Sequence, residues 1–223
     1  MVSNRIRLIA SLLNKSDKVL DVGTDHALLP IYLKINNMVD LVDASDISPD
    51  VLKNAKENIM KFNLSDDINL ILSDGLENVD VEKYNTLVIC GMGFFTIKDI
   101  LANANLKSIK KMIIQTNNRY SDFREFVGKI GFKIQEEIWI CDQGIDYLIF
   151  ELVRGQQILS SEEICCGIYS YQNLEYYQKE ILKYEYLLNE VPKEHYEKRS
   201  YISYMINTYK SYLSRERIEE KRR

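Results

Sequence analysis

Short apolar runs recur along the first two thirds of the chain, at Val19–Val22, Leu41–Ala44, Ile68–Leu72, Thr86–Cys90 and Met112–Thr116, each bounded by Gly, Asp, Asn or Ser. Ten or more residues lie between successive runs, enough for a crossover helix. That alternation predicts an α/β fold with a parallel, doubly wound sheet. The next two runs, Phe132–Ile140 and Ile145–Val153, are joined only by Cys141-Asp142-Gln143-Gly144 and do not alternate cleanly. They predict an antiparallel hairpin that closes the sheet.

Beyond Ser160 the period changes. Leu174, Tyr177, Ile181, Tyr184, Leu188 and Val191 fall at spacings of three and four, one stripe of one helix, and Pro192 ends it. A second stripe, Ile202, Met205, Tyr209 and Tyr212, follows, so the two helices are expected to pair as an antiparallel coiled-coil-type hairpin. Of 15 tyrosines, 11 lie beyond residue 168, and a packed seam explains them better than a base-stacking platform. The composition change places a boundary near Arg154-Gly155, giving units 1–155 and 156–223. From Arg215 to Arg223 the chain is expected to be a solvated, frayed end.

With 223 residues, 46% of them hydrophobic and 28% charged, the chain has the make-up of a soluble globular protein. It holds no run of about 18 apolar residues, and Met1–Arg7 lacks the apolar segment of a signal peptide, so no membrane role and a cytoplasmic location are expected. Cys90, Cys141, Cys165 and Cys166 show no metal-ligand spacing, and with only His26 and His195 beside them no metal site is expected. A net charge of −4 weakens a general nucleic-acid reading, but the balance is uneven. Residues 1–153 carry 17 basic and 22 acidic side chains, whereas 154–223 carry 12 and 11.

The richest segment is Asp21-Val22-Gly23-Thr24-Asp25-His26, which reads as a dinucleotide-fold glycine turn whose second glycine has become an acid. A carboxylate among N–H groups repels a pyrophosphate. S-adenosylmethionine (SAM) suits the turn instead, because it carries a sulfonium and an amino acid where a dinucleotide carries phosphates; Asp21 and Asp25 then attract it. Asp46, 23 residues after Gly23, is placed to accept from the ribose hydroxyls ahead of Asp43, although it can also cap the helix that starts near Pro49, where Ser48 is the better cap. Asp74-Gly75 ends the third run, where Asp74 could accept from the cofactor's adenine amine; Asp-Gly is also a common turn dipeptide. The fourth and fifth runs deliver Gly91-Met92-Gly93 and Gln115-Thr116-Asn117 to the same edge. The glycines allow close backbone approach, and Gln115 and Asn117 offer amides that can pair with an adenine edge, unless they only shape a turn and a loop.

Together these pieces resemble the bacterial tRNA (adenine-22 N1) methyltransferases, the TrmK family. The resemblance runs from Ser3-Asn4-Arg5-Ile6 through Asp21–Pro30, Asp46-Ile47-Ser48, Asp74-Gly75-Leu76-Glu77, Gly91-Met92-Gly93 and Gln115-Thr116-Asn117 to the helical tail, with Asp25-His26 the most specific element. It implies a Rossmann-like class I SAM-dependent methyltransferase sheet, SAM as methyl donor, tRNA as partner, and a tail that contacts the RNA. It also implies roles: Asp25, His26, Gly91, Met92 and Gly93 at the reacting centre; Asp21, Gly23, Asp25, Asp46, Ile47, Asp74, Gly75 and Gly91 around the cofactor; Arg5, Gln115, Asn117 and Tyr147 toward the substrate. Further basic candidates for tRNA are Arg7, Lys107, Lys110, Lys111, Arg119, Arg124, Lys193, Lys198 and Arg199. A monomer is expected, since the two tail stripes can satisfy one another. The chain departs from the family at Phe94, where a glycine is usual, at Thr116, where a proline is usual, and at Gln143–Leu148, where an acid-glycine-lysine segment followed by Tyr-Glu is usual. Those departures leave open a small-molecule or protein methyltransferase, or a non-catalytic relative that binds SAM or RNA.

Overall fold

The strands carry runs of β-branched residues because both faces of the sheet are covered, and their alternate side chains feed two separate cores. The computed structural model describes residues 2–220. In chain order it contains α1 (Asn4–Ser11), β1 (Lys18–Val22), α2 (Leu28–Ile35), β2 (Leu41–Asp46), α3 (Pro49–Lys61), β3 (Leu70–Leu72), β4 (Thr86–Met92), α4 (Phe94–Ala102), β5 (Lys111–Thr116), α5 (Tyr120–Lys129), β6 (Phe132–Asp142), β7 (Ile145–Arg154), α6 (Ser161–Cys166), α7 (Leu174–Glu190) and α8 (Tyr196–Glu220).

The sheet order is β3-β2-β1-β4-β5-β7-β6, with β1 to β5 parallel and β7 antiparallel to both its neighbours. This is the expected Rossmann-like α/β sheet closed by an antiparallel hairpin. Leu20, Ile89 and Phe150 pack on one face with Ile97 of α4 and Phe123 of α5. Val19, Val42, Val88 and Ile113 pack on the other with Ile9 of α1, Leu33 of α2 and Ile59 of α3. At the ligand edge β2 and β4 run further than their apolar runs suggest, to Asp46 and Met92, which carries site residues onto the sheet itself. One is shorter: β3 is only Leu70–Leu72. The hairpin turn is also tighter than expected, with Gln143 at φ 52° and Gly144 at φ 79°, the left-handed pair that suits a two-residue loop.

In the tail, Tyr177 and Ile181 of α7 meet Met205, Tyr209 and Tyr212 of α8, and a second cluster joins Val191, Ile202 and Ile206. The expected stripes are thus the seam of an antiparallel hairpin. Arg199 closes it by donating to the Leu188 and Val191 carbonyls at 2.7 and 2.6 Å, so this candidate RNA contact instead satisfies the end of α7. Before the hairpin, α6 is held by a reciprocal capping box between Ser160 and Glu163. Where a frayed end is expected from Arg215, α8 continues to Glu220, and residues 221–223 lie outside the described residues.

The tail docks through a buried ion pair. Arg124 of α5 donates from Nε and Nη2 to Glu137 of β6 at 2.8 to 3.2 Å, and from Nη1 to the Ile164 and Cys165 carbonyls. Glu137 also accepts from the Ile168 N–H, and Asn173 bonds the backbone of both Glu137 and Trp139. Arg124 is therefore a structural residue, not a contact for RNA. Lys111 is likewise withdrawn, held 2.6 Å from Asp17 and bonded to the Leu12 carbonyl. Among the described residues no helix is long and apolar enough to cross a membrane.

Candidate functional site

After β1 the chain turns through Gly23–Ala27 before α2 begins, and the Gly23 and Thr24 N–H groups both donate to the Ser45 carbonyl of β2. Gly23 (φ 74°), Asp25 (φ 53°) and Ala27 (φ 55°) are all left-handed, an unusual density for one turn. The end of the flexible Met92 side chain of β4 packs against Gly23.

Asp21 sits beneath this turn, 6% exposed. The Thr24 hydroxyl donates to it at 2.6 Å, and among the described residues no lysine or arginine forms an ion pair with it. Burial, reinforced by repulsion from Asp46, raises its pKa from 3.8 to about 6, with the Thr24 bond pulling the other way. Asp46, at the end of β2, accepts from the Ser48 N–H at 2.9 Å and keeps acceptor capacity on its other oxygen. Asp43, the second choice for the ribose, is committed elsewhere: Asn69 bonds one of its oxygens and the Tyr84 hydroxyl the other. Beside Asp46, Ile47 leaves 63% of its surface exposed, an apolar face at the same edge.

Asp21, Gly23, Asp25, His26, Asp46 and Gly91-Met92 line one cleft of about 420 Å³, together with Arg5 of α1. At its mouth Asp25 is exposed, with a carboxylate oxygen 3.5 Å from His26 Nε2. Cys90 also lines the cleft, and burial, with Asp21 nearby, pushes its thiol up to about 12, so it remains protonated. Asp74 and Gly75 are not brought into this cleft. They line a neighbouring hollow of about 610 Å³ between the end of β3 and α4, where Ile100 packs against Gly75. Tyr147 is outside it too, in an adjoining groove that Arg5 shares.

Gln115 and Asn117 are placed differently from their expected role on an adenine edge. Gln115 is buried; its Oε1 accepts from the Gly91 N–H at 3.0 Å and from Arg5 Nη1 at 3.2 Å, while its Nε2 donates to Asn117 Oδ1 at 2.9 Å. Asn117 in turn donates to the Gly91 carbonyl from its side chain and to the Met92 carbonyl from its backbone, both at 2.8 Å. Both amides are held by the protein, and their work is to fix the Gly91–Gly93 segment. Arg5 is fixed with them, its guanidinium 4.6 Å over the Tyr147 ring.

The departures at Phe94 and Thr116 leave the cleft open. The Phe94 side chain is buried against Phe126, and its N–H is bonded by Asn118. The buried Thr116 hydroxyl donates to the Asn118 carbonyl, shaping the loop from within. Sequence reasoning missed Thr24 as a partner of Asp21, although the Asp-x-x-Thr spacing across a turn was there to read.

A buried carboxylate without an ion-pair partner, an acid with an uncommitted oxygen at the next strand end and a hydrogen-bonded glycine segment opposite suit a cationic, hydroxyl-bearing ligand. The family model described as "Methyltransferase domain" matches residues 2–150. The tRNA (adenine(22)-N(1))-methyltransferase of Bacillus subtilis (strain 168) is 26% identical over 158 residues, spanning 70% of this chain and 66% of that enzyme. Sp1610 of Streptococcus pneumoniae superimposes with a TM-score of 0.87 at 29% identity, over 96% of this chain and 100% of that one, and gives 0.83 when solved with S-adenosyl-L-methionine. M. capricolum TrmK, solved with S-adenosyl-homocysteine, gives 0.81 at 31% identity over 96% of this chain and 98% of that one. Fold, site geometry and likeness agree, and this chain belongs to the methyltransferase-domain family and, within it, to the TrmK family.

Proposed function

We propose that this chain transfers the methyl group of SAM to N1 of adenine 22 in tRNA. The observation that carries the reading is Asp21, a carboxylate buried at the floor of the cleft without a basic partner of its own, which a cationic cofactor would complete. Asp21 holds the ammonium end of the cofactor and Asp46 accepts from its ribose hydroxyls. Ile47 lies along its adenine, with Asp74-Gly75 on the far side. When bound, SAM supplies a methyl already activated by the sulfonium, so the protein's task is alignment. Adenine N1 keeps a free lone pair, and its methylation leaves a cation; Asp25 at the mouth, oriented by His26, and the carbonyl edge of Gly91-Met92 stabilise that charge as it develops. Because N1 is occupied in a paired base, the adenine must enter unstacked.

The unit 1–155 carries this chemistry, and 156–223 extends the surface that meets the RNA, with Arg5, Tyr147 and the exposed Lys193 and Lys198 among its contacts. The protein acts in the cytoplasm, where tRNA is, and as a monomer, the latter supported by tail stripes that bury one another. Transfer of labelled methyl to an unmodified tRNA transcript with adenine at position 22, beside the same transcript with guanine there, tests the reading. Label on the first alone is expected, and label on neither or both contradicts it.

A further inference from the structure

In the groove adjoining the cleft a guanidinium lies over an aromatic ring, Arg5 over Tyr147. A second such pair stands at the strand-end edge beyond Gly91–Gly93. Phe95, in the first turn of α4, is 57% exposed although it is a large apolar side chain, and the Arg119 guanidinium lies 4.8 Å from its ring centroid. Arg119 itself is half exposed and steadied by Asp122 at 3.1 Å. It follows β5 directly after Asn118, whose side chain bonds the Phe94 N–H, so ring and guanidinium are tied to one junction. Arg119 holds a left-handed backbone at φ 56° where the chain enters α5, and its carbonyl accepts the Phe123 N–H. The neighbouring Phe94 meets the core's need for an aromatic at this corner; Phe95 does not.

We infer that Phe95 and Arg119 form a stacking station for a second nucleotide of the RNA, the one beside the target adenine. Unpaired bases are held in this way, on an aromatic face or a guanidinium plane, without demanding a particular sequence. A base pulled out of its stack leaves a neighbour whose face is bare, and a station next to the cleft would cap that face and keep the strand open. The inference rests on the proposed RNA substrate and adds to it a site for the flanking base.

The test measures methyl transfer and SAM affinity for wild type, Phe95→Ala, Phe95→Trp, Arg119→Ala and Arg119→Lys. It uses the adenine-22 transcript and two versions of it lacking the base at one or the other neighbouring position. Phe95→Ala is expected to raise the KM for tRNA about tenfold with SAM affinity unchanged, and Phe95→Trp to stay within about twofold of wild type. Arg119→Lys, which keeps the charge but loses the plane, is expected to fall with Arg119→Ala. Removal of one flanking base should cost wild type a similar factor and cost Phe95→Ala nothing more, a coupling that a merely structural residue would not show. Equal losses from base removal in wild type and Phe95→Ala, or an unchanged KM in the variants, overturns the station while the methyltransferase reading stands. A wild-type protein that neither binds nor methylates the transcript overturns both.

Discussion

Among the buried carboxylates of the described residues, Glu137 and Asp21 are treated in opposite ways. Glu137, 2% exposed, meets Arg124 through two nitrogens and accepts a backbone N–H, so its charge is answered within the chain. Asp21, 6% exposed, has one hydroxyl and a like-charged neighbour. Burying a charge is costly unless it is paired, so the first arrangement is that of a structural clamp and the second that of a receptor for a cation. The clamp fastens the helical tail to the sheet; the receptor faces the cleft.

The contrast breaks most visibly at the clamp. Arg124→Met leaves Glu137 buried and alone, and is expected to lower stability by about 3–5 kcal/mol, read as a fall in the denaturant midpoint, while SAM affinity in the folded protein stays the same. Next comes Asp21→Asn, whose effect should be the reverse. SAM affinity is expected to drop about 100-fold, a loss of about 2.7 kcal/mol, with stability unchanged or higher, as isothermal calorimetry and thermal melts would record. A loss of stability equal to that at Arg124 would erase the distinction.

A smaller effect comes with pH. Since the Asp21 pKa is raised to about 6 in the folded protein, the native state binds more protons than the unfolded chain from about pH 4 to 6. This group's contribution to stability in the cofactor-free protein therefore falls as pH rises through that window. Binding a cation favours the ionised form, so SAM affinity is expected to fall about tenfold between pH 7 and pH 5, and to stay flat in Asp21→Asn. The smallest change expected is for Thr24→Val, which removes the hydrogen bond that lowers the Asp21 pKa and should move the midpoint of that profile upward by about half a unit.

What could be read from sequence follows the same division. The alternation of strands and helices, the closing hairpin and the tail seam were legible because all three depend on periodicity, and Asp46 was preferred to Asp43 because it ends its strand, at the edge where open α/β sheets bind ligands. Arg124 and Glu137 were not legible: a basic residue on a polar-looking helix reads as solvated surface until the fold brings β6 beneath it. Gln115 misled in another way. Its amide has the right chemistry for a base edge, but its position on a central strand buries it, and a buried amide must first satisfy itself within the protein. Asp74-Gly75 follows the end of β3 as expected, but it lines the neighbouring hollow rather than the cleft, a matter of loop path that composition does not carry.

The most direct test of Asp21 as a receptor for a cation is calorimetry of SAM binding at pH 6 in buffers of different ionisation enthalpy. The wild-type protein is expected to release about half a proton per SAM bound as the half-protonated Asp21 ionises, and Asp21→Asn to release none. Binding without proton release in the wild type, or with equal release in the variant, would contradict the account.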